Sequence, residues 1–182
     1  MKKDNINIRN YRAEDAFAIL DIYENYLLNG PYTFEITVPS IIDFSNRLNE
    51  IASKYPFYIL ECEGNIVGYA YACAHRERAA YRWAVETSVY LAEKATGKGY
   101  GNILYSTLLS TLKERNFTHA FALIGLPNHK SIQLHKKCGF QEQTIHKKAG
   151  WKNGQWIDVC WMRCELAAPL ESPPEPVFKA TE

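Results

Sequence analysis

Trp83-Ala84-Val85-Glu86-Thr87-Ser88-Val89-Tyr90-Leu91, followed by Thr96-Gly97-Lys98-Gly99-Tyr100-Gly101-Asn102, is the stretch whose reading decides the fold. The first part is β-rich and reads as a strand, and the glycine series after it opens a helix that runs to about Arg115. A Gly-x-Gly-x-Gly run between a strand and a helix lets the main chain turn sharply. It also points consecutive N–H groups outward at the positive end of the helix dipole, where a pyrophosphate binds. Alone, the pattern is shared by Rossmann dinucleotide sites and by loops that merely turn the chain. A Rossmann loop, however, follows a first strand near the N-terminus, and here two helices and three strands come first, which disfavours a nicotinamide site.

Toward the N-terminus, Ile6 to Arg9 reads as a strand and Ala13 to Leu28 as a helix, with Ala16, Ile19, Leu20, Tyr23 and Leu27 at helical spacing. Asn29-Gly30-Pro31 stops that helix, and Ser40 caps a second one that ends before Tyr55-Pro56. Phe57 to Cys62 and Ile66 to Ala74 form a hairpin across Glu63-Gly64-Asn65, and His75 to Arg82 is a polar linker. Toward the C-terminus, His119 to Ile124 reads as a strand and Asn128 to Cys138 as a helix closed by Gly139. Phe140 to Lys148 and Gln155 to Leu166 then read as an antiparallel pair with its turn over Gly150 to Gly154. This order predicts a mixed α/β sheet in one layer with helices on both faces, one domain over 1–166. Residues 167–182 are Pro-rich and aperiodic and are expected to form a flexible tail.

The 182 residues, 47% hydrophobic and 23% charged, suffice for one substantial core. A formal charge of +1 without a polybasic block or acidic run speaks against nucleic acid and membrane surfaces as partners. The charged start Met1 to Asn5 is not followed by a signal-like apolar stretch and nothing is long enough to span a bilayer, so the expected compartment is the cytoplasm. Five cysteines, an odd number without a CxxC pair, suit a reducing compartment. Cys160 and Cys164, four residues apart on one strand, lie about 13 Å apart, beyond disulfide or single-metal reach, and no metal is implied.

Val89-Tyr90-Leu91 before the loop, and Asn128-x-x-Ser131-x-x-x-His135-x-x-x-Gly139-Phe140 after the next strand, occur in the order of the motifs of the GNAT acetyltransferase superfamily, which the chain resembles. From Ile8 to about Leu166 it is similar to the phosphinothricin and methionine sulfone or sulfoximine acetyltransferases. The residues carrying this are Tyr32-Thr33-Phe34-Glu35, Arg76-x-Arg78-x-Ala80-Tyr81-x-Trp83, Glu86-x-Ser88-Val89-Tyr90, Gly125-Leu126-Pro127-Asn128 and Ala149-Gly150-Trp151-Lys152-x-Gly154-x-Trp156-x-Asp158-Val159. The resemblance implies a GNAT acyl-CoA N-acyltransferase fold with a central, mostly antiparallel mixed sheet flanked by helices. It also implies acetyl-CoA as co-substrate, a small amino-acid-like amine as acceptor, direct transfer, and a homodimer in which the hairpin of Trp151 and Trp156 takes part. The family usually begins its loop with Gln or Arg and has a basic residue second. Here those places are Thr96 and Gly97, and Lys98 is the compensating charge at hand.

Acetyl transfer needs a neutral amine, while a free α-amine is largely protonated near neutral pH, so a base is required. The resemblance assigns that role to Glu86, acting through water, and makes His135 a candidate proton donor to the departing thiolate. Main-chain N–H groups at Val89, Tyr90 and Leu91 can stabilise the oxyanion if the strand splays from its neighbour. The cofactor set is completed by Gly97, Lys98, Gly99, Tyr100, Gly101, Asn102, Asn128 and Ser131, with Asn128 suited both to pantetheine amides and to a helix N-cap. Arg76 and Arg78 are the candidates for gripping the acceptor carboxylate, the resemblance favouring Arg78 over Arg76, and Phe34 and Tyr81 for walling its side chain. Two other readings stand beside this one. A noncatalytic acyl-CoA sensor would have no need of Glu86 and Arg78, and an acetyltransferase of protein N-termini would need an open peptide groove instead of a carboxylate clamp.

Overall fold

Two periodicities build the molecule, and the computed structural model, which describes residues 4–178, shows how they meet. Strands β1 (Ile6–Asn10), β2 (Phe57–Cys62), β3 (Asn65–Ala74), β4 (Ala84–Leu91), β5 (His119–Gly125), β6 (Gln141–Lys152) and β7 (Gln155–Glu165) form one sheet in the order β1-β2-β3-β4-β5-β7-β6. Only the β4–β5 pairing is parallel; the other neighbours are antiparallel. Helices α1 (Ala16–Leu28) and α2 (Ile41–Lys54) precede β2, α3 (Tyr100–Glu114) follows β4, and α4 (His129–Lys137) follows β5.

Strand alternation sorts the core into two layers. On one face Ala70, Ala72, Val85, Ala120 and Ala122 meet Leu104, Tyr105, Leu108 and Leu112 of α3. The small alanines let the helix approach closely, and each fully buried leucine contributes roughly 2 kcal/mol. On the other face Phe57, Ile59 and Tyr69 meet Ile19, Tyr23 and Leu27 of α1 and Phe44 and Leu48 of α2. Helix starts follow the capping chemistry: Ser40 Oγ accepts from the Asp43 N–H at 3.1 Å, and Asn128 Oδ1 from the Ser131 N–H at 3.2 Å.

Two expectations change. The last hairpin turns at Asn153-Gly154, both at positive φ (50° and 77°), and β6 continues to Lys152, so Gly150 lies within the strand and not in the turn. An Asn-Gly pair fits a two-residue turn of this kind without strain, which leaves Gly150 free for another purpose. The second concerns the segment expected as a flexible tail, whose described part lies against the domain. Trp83 Nε1 donates to Pro174 O (2.8 Å), the Val177 N–H donates to Arg115 O (2.9 Å), and Phe178 packs edge-on against Tyr55 and Phe117. Aromatic burial under the sheet offsets the ordering entropy that Pro-rich composition alone did not reveal.

Candidate active site

The parallel pairing of β4 and β5 covers only Ala84–Glu86 against His119–Phe121. Thr87 ends it: its hydroxyl donates to Phe121 O at 3.1 Å and meets the buried Tyr105 hydroxyl at 2.6 Å, filling the place of the next ladder bond. Beyond this point β5 stays paired with β7 through Gly125, so the sheet opens into a gap between the second halves of β4 and β5. The Ala92 N–H donates to Val67 O at 2.8 Å, toward β3, so alternation aims the N–H groups of Leu91 and Val89 into the gap and that of Tyr90 away from it. Tyr26 takes the Leu91 position, accepting its N–H at 3.3 Å while donating to its carbonyl at 2.7 Å. Of the expected oxyanion donors, Val89 therefore keeps an N–H directed at the gap.

A groove of about 810 Å³ runs through this gap. It is lined by Val89, Tyr90, Leu91, Gly97, Gly99, Gly101, Asn102, Asn128, Ser131 and His135, all expected cofactor or catalytic residues. Gly97 and Gly99 have φ of 77° and 82°, which glycine adopts without strain, and no side chain caps the start of α3. The Asn102 N–H turns back to Gly99 O at 3.1 Å, so the Tyr100 and Gly101 N–H groups remain for an anionic ligand. Gly101 packs on Leu134 and Leu91, where an added Cβ would come within 3.1 Å of Leu134. Lys98 and Tyr100 are not on the groove: Lys98 Nζ pairs with Asp4 at 3.6 Å, and the Tyr100 hydroxyl donates to the same carboxylate. Lys98 is thus paired with a carboxylate outside the groove lining. Lys130 and Lys137 on α4, which the sequence reading missed, line the groove instead.

His135 is buried, with its ring edge-on to Tyr105 and Phe140. Its Nδ1 lies 2.8 Å from Ser131 O, so Nδ1 carries the hydrogen and donates it, and Nε2 of the neutral ring is an acceptor. Burial holds the imidazole below its ordinary pKa, against the partly opposing effect of that bond.

A second cavity of about 610 Å³ opens on the α1/α2 face, lined by Tyr32, Thr33, Phe34, Tyr90, Leu123, Gly125, His146, Lys147, Ala149, Val159 and Trp161. It meets the groove at Tyr32, Tyr90, Leu123 and Gly125. Glycines allow this junction: a Cβ on Gly125 would lie 1.9 Å from Pro31 O, and one on Gly150 1.9 Å from Phe34. Buried Lys152 holds the same loop, donating to Leu27 O at 2.8 Å and to Thr33 O at 2.7 Å.

Glu86 sits on this face at the closed end of the gap, opposite Phe121, rather than on either cavity wall. Its Oε1 is 3.1 Å from both His75 Nδ1 and the Arg76 guanidinium, and Oε2 has no bond among the described residues. Arg76 also lies over the ring of Trp161, a cavity residue, with its guanidinium carbon 5.4 Å from the centroid. Of the expected acceptor contacts, Phe34 lines the cavity, Arg76 borders it through Trp161, and exposed Arg78 and half-exposed Tyr81 do not reach it. Trp161 and Val159 were within reach of sequence reading by strand alternation; His146 and Lys147 were not, because the strand bulges there.

A strand pair that opens over a groove, with a glycine-rich helix start on one side, is an arrangement for holding a thioester beside a second cavity. Residues 8–161 match the family model described as Acetyltransferase (GNAT) domain. The chain belongs to the GNAT acetyltransferase family. It is an acetyl-CoA-dependent N-acetyltransferase. Among its relatives, the phosphinothricin N-acetyltransferase of Streptomyces viridochromogenes is 32% identical, over 97% of this chain and 96% of that one. The L-methionine sulfoximine/L-methionine sulfone acetyltransferase of Salmonella typhimurium is also 32% identical, over 90% of this acetyltransferase and 98% of the relative. A phosphinothricin acetyltransferase from Sinorhizobium meliloti, crystallised with AcCoA, superposes with a TM-score of 0.87 at 36% identity, covering 96% of this chain and 99% of that one.

Proposed function

We propose that the acceptor is the α-amine of a small free amino acid of the phosphinothricin or methionine sulfone and sulfoximine type, acetylated by direct transfer. The observation that carries this reading is the second cavity, which meets the groove at Tyr90, Leu123 and Gly125 and holds an acceptor beside the thioester. Holding both in line supplies much of the rate. The free Oε2 of Glu86, which lies outside both cavity walls, takes the ammonium proton through water, and the amine attacks the thioester carbonyl carbon. The Val89 N–H meets the oxyanion, and collapse breaks the C–S bond to give the acetamide and the CoA thiolate. A thiol of ordinary pKa, about 8.5, leaves as thiolate without an obligatory proton. His135, neutral and with Nε2 as acceptor, therefore orients groups at the thioester instead of serving as an acid. Arg76 at the rim is the carboxylate anchor this reading favours, with Arg78 held by resemblance alone.

A homodimer is part of the reading, supported by Trp151 and Trp156, which stack edge-on yet stay more than half exposed at the sheet edge. Five cysteines without a disulfide suit the cytoplasm, and no helix among the described residues is long and apolar enough to cross a membrane. The test is thiol release from acetyl-CoA against a panel of amino acids, for wild type and Glu86→Gln, with mass by light scattering on the same sample. Turnover of an amino acid that falls about 10²- to 10³-fold in kcat in the variant, with KM little changed, is the expected result. Tight acetyl-CoA binding without turnover of any amino acid would move the chain to a sensor or to a protein-directed enzyme.

A further inference from the structure

The wall of the acceptor cavity formed by β6 is not a regular strand. His146 pairs with Val159 and Gly150 with Ile157, so Lys147, Lys148 and Ala149 all stand opposite the single residue Asp158. Such a bulge bends its strand and re-aims side chains. Lys148 sits at φ +51°, a left-handed conformation that costs a non-glycine residue about 1 kcal/mol. One carboxylate holds the whole bulge. Asp158 Oδ1 accepts the Lys148 N–H at 2.8 Å and Oδ2 accepts Lys147 Nζ at 2.8 Å. These bonds hold the Asp158 carboxyl below its usual range, the Lys147 contact first and the Lys148 N–H second. The main chain of Asp158 is fixed in turn, its carbonyl accepting the Leu126 N–H at 2.9 Å just past the end of β5.

What the bulge presents is the acceptor site. His146, Lys147 and Ala149 line the cavity, and Gly150 directly after them makes room for Phe34, another lining residue, to pack against the strand. A bulge free to slide or flatten would move all of these together.

We infer that Asp158 is a positioning residue for the acceptor: by locking the Lys147–Ala149 bulge it fixes the shape of the acceptor cavity without touching the acetyl-CoA groove. The role rests on the amino-acid acceptor reading above. Two conservative variants separate shape from charge. Asp158→Asn keeps an oxygen at the same reach for the Lys148 N–H, while Asp158→Glu keeps the charge but lengthens the side chain by one methylene. Steady-state kinetics in both substrates is the measurement. Asp158→Glu should raise the acceptor KM about tenfold, the loss of one charge-assisted hydrogen bond, and Asp158→Asn no more than about threefold. The acetyl-CoA KM should stay within about twofold in both, because Asp158 is not on that groove. Faster amide exchange confined to residues 146–150 in Asp158→Glu would accompany this. An acceptor KM unchanged in Asp158→Glu, a larger effect in Asp158→Asn, or an equal rise in both KM values would each overturn the inference. If wild type acetylates no amino acid at all, the acceptor reading fails and this role with it. Turnover by wild type with flat KM values in the variants removes this role alone.

Discussion

The groove proposed for acetyl-CoA and the cavity proposed for the acceptor are neighbours made in opposite ways. The groove is a product of main chain: a parallel pair that Thr87 ends early, a glycine-rich helix start, and a capped turn at Asn128. The cavity is a product of side chains and long-range clamps. Lys152 reaches from β6 to carbonyls on either side of the loop after α1, Phe34 lies on Gly150, and Asp158 gathers the bulge. A site made of backbone tolerates change in most of its side chains, whereas a site made of clamps can be retuned by one substitution. That difference suits an enzyme family with one donor and many acceptors.

The comparison breaks hardest at Gly125, where both sites share a wall. A Cβ there would lie 1.9 Å from Pro31 O, a backbone atom, so Gly125→Ala must push the loop holding Tyr32 and Phe34 off the end of β5. The expected result is an acceptor KM raised more than about tenfold and a stability loss of about 2 kcal/mol. The acetyl-CoA KM should rise less, since Thr33 and Phe34 of the displaced loop line the acceptor cavity alone and Tyr32 is shared. Comparable rises in both would mean that the two regions form a single unit.

The contrast also explains what the sequence made legible. Strand, glycine loop and helix could be read from Trp83 to Arg115 because local rules of turn and cap chemistry determine them, and the Val89 end of the gap followed from the family order of motifs. Gly97, Gly99, Asn128 and Ser131 line one groove for the same reason. Lys98 does not, because its partner Asp4 comes from the distant N-terminal segment. On the acceptor side the misplaced turn at Gly150 concealed the rest of β6. An irregular strand whose register shifts by a carboxylate across the hairpin has no period to read, so His146 and Lys147 were invisible. The last segment was misread because its composition is that of a loop, while its anchors, Trp83, Arg115 and Phe117, are far away in sequence.

A middle-sized effect sharpens the cofactor side. His135 is the buried titratable group of the groove, and its folded-state pKa lies below the unfolded value of about 6.5. Between those two values the unfolded chain binds more protons than the folded one, so stability falls as pH drops through the window and is fully present above it. His119, also lowered by burial, adds in the same direction, so the test is a difference. Thermal unfolding of wild type and His135→Gln at about pH 7.5 and about pH 5.5 should show the larger loss in wild type. An equal loss would mean that His135 titrates alike in the folded and unfolded chains, and the argument against an acid role would lose its support.

The smallest effect decides how the groove meets phosphate. Thr96 and Gly97 carry no charge, and Lys98 is paired with Asp4, so the side-chain cations on the groove are Lys130 and Lys137 of α4, and no carboxylate among the described residues pairs with either. Both are exposed, and exposed charges act weakly and through solvent. Lys130→Ala and Lys137→Ala should each raise the acetyl-CoA KM about threefold at low salt, shrinking toward no effect as the Debye length falls below about 8 Å. The acceptor KM should not move. Lys98→Ala is the control that tests the assignment, since removing a lysine already matched by a carboxylate should leave the acetyl-CoA KM unchanged. If Lys98→Ala alone gives the salt-dependent rise, the loop keeps its charge despite Asp4, and the groove depends on its glycine loop for charge as well as for shape.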